Sequence, residues 1–176
     1  MLASTTMPSP VGRLTLVASD AGLRAVLWES DKPGRVPLDP VQENATHPVL
    51  KEARQQLHRY FASSLTGFDL PLDAAGTPFQ KRVWAALARI PFGETRSYGA
   101  IAAELGDVKA VRAVGAANGR NPISIIVPCH RVIGASGLLT GFAGGLAAKA
   151  TLLRLEGARF DGEAEFSNAS QSDLFA

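Results

Sequence analysis

Cys129-His130-Arg131 is the stretch of this chain whose residue types could do covalent chemistry. Cys129 is the only cysteine; it follows the apolar run Ile123-Ser124-Ile125-Ile126-Val127 and Pro128, and a base and a cation come directly after it. A thiol becomes a nucleophile where positive charge or a base favours its thiolate, and stays inert where apolar groups bury it. The competing reading is therefore a small core residue at the end of a strand. Glu156 is the second group of interest. A carboxylate in the last turn of a helix opposes the macrodipole, a mild penalty at an exposed site, so its simple reading is a solvated side chain.

The elements that must position these groups can be read from patterning. Residues 123–127 read as a buried strand with Ile123, Ile125 and Val127 on one face. Pro128 has no N–H to donate, so that strand ends where the cysteine begins. In strand geometry Cys129 and His130 point to opposite faces, and a working contact then requires irregular backbone or a bridging water. Residues 134–145 hold five glycines and form a loop. A last helix covers 147–156.

Upstream, residues 12–18 and 22–28 alternate around the turn Asp20-Ala21-Gly22 and predict a β-hairpin. Residues 30–46 are a loop, 47–61 place Val49, Leu50, Ala53, Leu57, Tyr60 and Phe61 on one helical stripe, and 67–72 suggest an edge strand limited by Pro71. Asp73-Ala74-Ala75-Gly76 is the expected boundary. Beyond it Thr77-Pro78-Phe79-Gln80 has the form of a capping box, and Phe79, Val83, Leu87 and Ile90 run down one face until Pro91 and Gly93. Ser97 can cap a helix to about Leu105. Asp107 can cap a second, from Lys109 to Asn118, and the pair across a tight turn is a helix-turn-helix candidate.

The expected fold is α+β: a small N-terminal α/β domain with an antiparallel sheet (1–76), a mainly helical domain containing the helix-turn-helix (77–162), and a polar, disordered tail (163–176). With 46% hydrophobic and 19% charged residues the chain is of ordinary globular composition. No apolar run is long enough to span a membrane, and no secretory signal is seen, so a cytoplasmic protein is expected. One cysteine excludes an intrachain disulfide, and His47, His58 and His130 are too scattered to suggest a metal cluster. The net charge of +2 hides a gradient: residues 77–133 carry eight Lys and Arg against three Asp and Glu. Positive charge gathered around the cysteine suits a segment that meets a polyanion, and equally a solvated basic face. From these residues alone, a non-catalytic DNA-binding protein and a cysteine hydrolase both stay open.

Several motifs in order then resemble one family: Ser97-Tyr98, Arg112-Ala113-Val114-Gly115, Asn121-Pro122, Pro128-Cys129-His130-Arg131-Val132, Gly144-Gly145-Leu146 and Leu155-Glu156-Gly157. Together they are similar to the O6-alkylguanine-DNA alkyltransferases, also called methylated-DNA-protein-cysteine methyltransferases. The resemblance implies that Cys129 accepts an alkyl group from O6-alkylguanine, and from O4-alkylthymine, in one irreversible event. It implies that His130 takes the thiol proton through a water, that Glu156 orients His130, and that Asn121 holds the turn.

The partner implied is double-stranded DNA containing alkylated guanine, with the damaged base flipped out. Arg112 would enter the stack in its place, and Tyr98 would assist the rotation and contact the guanine. The second helix would lie in the minor groove through Ala110, Ala113, Gly115 and Ala116, with Arg120 also on DNA. The guanine pocket would include Tyr98, Val132, Ala135, Phe142, Ala143 and Gly144. The resemblance implies no cofactor, no metal and no membrane, and a monomer in solution that can assemble on DNA. Ser124, Phe142 and Ala143 depart from the family pattern, where proline, tyrosine, and serine or glycine are usual.

Overall fold

Residues 1–161 are described by the computed structural model, and the tail expected at 163–176 lies outside them. They divide into two units: Met1–Gly76 together with Pro122–Ile126, and Thr77–Asn121 together with the chain from Val127 onward. The chain thus leaves the second unit for residues 122–126 and re-enters it just before the cysteine.

In the first unit β1 (Leu2–Met7), β2 (Leu14–Ala18), β3 (Leu23–Leu27) and β4 (Val41–Glu43) form one sheet in the order β3-β2-β1-β4. β1–β2 and β2–β3 pair antiparallel, whereas β1–β4 is parallel, so the sheet is mixed and not wholly antiparallel as expected. A parallel neighbour needs a long connection, and the Pro-rich residues 28–40 supply it. β1 hides in the sequence because Ser4, Thr5 and Thr6 interrupt its apolar alternation, yet Thr5 is buried opposite Leu16. Helix α1 (Pro48–Phe61) buries Leu50, Ala53, Leu57 and Tyr60, as its stripe requires.

Two expected strands do not form. Along 67–72 only Leu72 makes a bridge, to Leu23. The Gln56 side chain instead satisfies the backbone of Asp69, its Nε2 donating to the carbonyl and its Oε1 accepting from the amide, both at 2.9 Å. Along 123–127 the residues are buried, but Ile125 sits at φ 73°. A β-branched residue there is strained and cannot continue a ladder. The segment is held by Val26 N–H donating to the Pro122 carbonyl at 2.9 Å and Trp28 Nε1–H donating to Ser124 Oγ at 3.1 Å. Ser124 thus supplies an acceptor that a proline side chain could not.

In the second unit α2 (Pro78–Ala88) opens with both halves of the capping box: Thr77 Oγ1 accepts from Gln80 N–H at 3.1 Å and Gln80 Oε1 from Thr77 N–H at 2.9 Å. Ser97 caps α3 (Tyr98–Glu104) by accepting from Ala100 N–H at 3.0 Å. Gly106 then turns the chain at φ +82°. Asp107 does not cap the next helix; its carboxylate accepts from Lys109 N–H at 3.1 Å within the turn. α4 (Val111–Gly119) therefore starts later than expected, at an Ala110 N-cap with no side-chain bond. Trp84 Nε1–H donates to the Ala117 carbonyl at 2.8 Å and fixes α2 against α4. β5 (Arg96–Ser97) pairs parallel with β6 (Val132–Ile133), and α5 (Leu146–Leu155) follows the glycine-rich loop. Among the described residues no helix is long and apolar enough to cross a membrane.

Candidate active site

Cys129 opens a 3-10 turn, Cys129–Arg131, and is 4% exposed. The turn is tied at its start: Asn121 Nδ2–H donates to the Val127 carbonyl at 2.9 Å, and Arg131 N–H donates to the Pro128 carbonyl at 3.0 Å. Such a turn rotates successive residues by about 120°, not the 180° of a strand. The backbone irregularity that a Cys129–His130 partnership requires is therefore built in, and Asn121 secures it.

His130 is fully buried, and its Nε2 lies 2.8 Å from Glu156 Oε2. Glu156 is itself buried and is engaged from a second side by Arg131, whose Nε donates to Oε1 at 2.8 Å and Nη2 to Oε2 at 3.1 Å. Arg131 Nη1 also donates to the Ile90 carbonyl at 2.6 Å, and its guanidinium lies 5.8 Å from the Phe92 ring centre. Glu156 is thus no solvated helix-end glutamate. A carboxylate that accepts from both neighbours places the ring hydrogen on His130 Nε2. Nδ1 is left with its lone pair, and it is buried with no hydrogen-bond partner among the described residues. Burial lowers the His130 pKa below 6.5 despite the opposing effect of Glu156, so the ring is neutral at physiological pH and available as a base.

The loop after β6 supplies the facing wall. The Tyr98 hydroxyl and Thr140 Oγ1 share a hydrogen bond of 2.8 Å. Burial raises the Tyr98 pKa, so the phenol keeps its proton. Val132 and Phe142 are buried, Ala143 and Gly144 are half-buried, and Ala135 is exposed. Lys149 of α5 is fully buried; its ammonium donates to the Val132 carbonyl at 2.6 Å and the Thr140 carbonyl at 3.3 Å, and lies 5.7 Å from the Phe142 ring centre. On α4, Val114, Ala117 and Asn118 are buried, whereas Arg112, Ala113, Ala116 and Arg120 are exposed, and Ala110 and Gly115 are half-buried. A Cβ on Gly115 would lie 3.9 Å from Tyr98 Cδ1, ordinary contact.

Sequence reasoning missed Arg131 as the second partner of Glu156, Thr140 as the partner of Tyr98, and Lys149 altogether. A signal for Lys149 was present, because 146, 149, 150 and 153 share one helical stripe with Leu146, Ala150 and Leu153, all buried.

Comparison with known proteins agrees with this geometry. Residues 78–158 match the family described as "6-O-methylguanine DNA methyltransferase, DNA binding domain", and residues 2–74 match its "ribonuclease-like domain". A methylated-DNA–protein-cysteine methyltransferase of Methanosarcina acetivorans is 52% identical over 149 residues, covering 85% of this chain and 94% of that relative. One from Mycobacterium bovis is 50% identical over 161 residues, covering 90% and 94%. Among solved structures, Mycobacterium tuberculosis OGT in complex with DNA superposes with a TM-score of 0.80 at 49% identity, covering 88% of this chain and 92% of that one. With motifs, fold and both halves of the sequence in agreement, the chain belongs to the 6-O-methylguanine-DNA methyltransferase family.

Proposed function

We propose that the protein repairs DNA by direct transfer of the methyl group of O6-methylguanine to Cys129, acting once. The observation that carries this is the buried chain Arg131–Glu156–His130 behind the only cysteine, in a family whose relatives bear that activity in their names. The Cys129 thiol proton passes through a water to His130 Nδ1, and the thiolate attacks the methyl carbon. The S–C bond forms as the C–O bond breaks, and the electron pair stays on the guanine oxygen. The guanine then takes up a proton, balancing the one His130 received. Tyr98, protonated and facing the loop at Thr140, is placed to donate to the base. Asn121 keeps the turn in register through the Val127 carbonyl.

A thiolate cannot reach a stacked base, so the nucleotide is flipped out of the duplex. α4 suits base extrusion, because Arg112, Ala113, Ala116 and Arg120 are exposed along it, and small side chains allow close approach to a groove while Arg112 fills the vacated stack. Ala110 and Gly115 complete that surface. The guanine sits against Val132, Phe142, Ala143 and Gly144, with Ala135 at the loop's exposed end. Alkylated thymine oxygen is a second substrate on the same chemistry, and a cytoplasmic location goes with this function.

A thioether offers water no easy leaving group, so stoichiometry tests the reading. When methylated duplex is supplied in excess, repaired lesions plateau at one per protein molecule. Continued turnover contradicts the reading, as does a hydrolase's steady release of product.

A further inference from the structure

Lys149 is the one buried titratable group near Cys129, among the described residues, that the proton path does not use. Burying an ammonium costs several kcal/mol even after relaxation, and both hydrogen bonds described for it go to carbonyl oxygens, not to a carboxylate. Its position links the two halves of the site. Val132 follows directly on the Cys129–Arg131 turn, and Thr140, whose hydroxyl meets Tyr98, belongs to the loop that faces it. The charged and titratable groups around it are Cys129 and His130 from the turn, Arg131 and Glu156 behind His130, and Tyr98 from α3.

We propose that the Lys149 ammonium is a positioning residue for methyl transfer, clamping the Cys129 turn to the guanine loop and holding the positive charge against which the Cys129 thiolate forms. The clamp and the charge are separable, since a neutral amine still donates hydrogen bonds but stabilises no anion. An uncompensated buried cation is retained where a negative charge must appear beside it, and in this site that charge is the thiolate. His130 alone would face a difficulty, because receiving the proton makes it a cation in a site that disfavours one. A second, permanent cation near the sulfur lowers the cost of the charge-separated state.

The Lys149 pKa is lowered to about 8 by burial, with the charge of Cys129 working in the opposite direction. The ammonium is thus mostly present at neutral pH and lost as pH rises through about 8. Methyl transfer then slows over the range where a simple thiol would be gaining thiolate.

The proposal rests on the methyl-transfer reading, but its first test needs no DNA. Because Cys129 is the only cysteine, thiolate absorbance in the folded protein reports it alone. Lys149→Met is expected to cut the thiolate fraction at neutral pH about tenfold, the effect of one pKa unit, and Lys149→Arg to restore most of it. An unchanged thiolate fraction in folded Lys149→Met overturns the proposal, even if repair slows. Should the Met variant not fold, the wild-type rate with methylated duplex decides: a decline above about pH 8 supports it, and a continued rise overturns it. A thiolate change without any methyl transfer would leave the proposal standing and sink the substrate reading instead.

Discussion

Glu156→Gln lowers the rate of methyl transfer by about 10²–10³-fold while DNA affinity changes by less than about twofold. The carboxylate accepts three hydrogen bonds, one from His130 and two from Arg131, with its side chain fully buried. An amide can accept at only one of its two atoms, and its NH2 group meets a donor at the other. His130 then loses the partner that fixes its ring hydrogen on Nε2, and Nδ1 no longer reliably presents a lone pair toward the sulfur. Arg131 loses its counter-charge while still buried, and an unpaired buried charge destabilises by about 3–5 kcal/mol. The rate is therefore measured by single-turnover kinetics at a temperature where circular dichroism shows the variant folded. Binding to undamaged duplex, read by anisotropy, separates the two roles. Loss of binding together with rate would make Glu156 a purely structural residue.

Arg112→Ala lowers repair of methylated duplex by about 10²-fold but reaction with the free alkylated base by less than about threefold. Arg112 is exposed on α4, with no ion pair among the described residues. Its role is therefore directed outside the chain. Extruding a base costs a few kcal/mol of stacking and pairing, and a side chain that fills the gap recovers part of that cost. Free base needs no extrusion, and the Cys129 turn lies on a different element. Equal losses on duplex and free base would contradict base replacement and point to distortion of the pocket. Arg112→Lys is expected to recover little, because a flexible ammonium lacks the planar stacking surface of guanidinium.

What could be read before the structure depended on the range of the interaction concerned. The capping box at Thr77, the Ser97 cap and the stripe of α1 are local and appear where the sequence places them. The run 123–127 misled because apolar content reports burial, not conformation. Its residues are buried, but nothing local announces the positive φ at Ile125, which is imposed by pairing to Val26 and Trp28 far away in sequence. β1 failed for the opposite reason, its Ser and Thr residues being strand-compatible without forming an apolar alternation.

In the site, Cys129, His130, Glu156 and Asn121 could be named from motifs. The structure joins His130 to Glu156 and Asn121 to the turn. Arg131 lay inside the motif, yet its bidentate hold on Glu156 depends on α5 ending beside the turn. Lys149 read as an ordinary helix-surface charge because a lysine is rarely buried. Only the phase of the stripe through Leu146, Ala150 and Leu153 pointed inward.

The most direct test of the central claim is the mass of the protein and its peptides after reaction with duplex DNA carrying one O6-methylguanine. The account predicts one added methyl group per chain, located on the peptide containing Cys129, and none on Cys129→Ser. Unchanged mass, methylation at another residue, or repair that proceeds in the Cys129→Ser variant would contradict it.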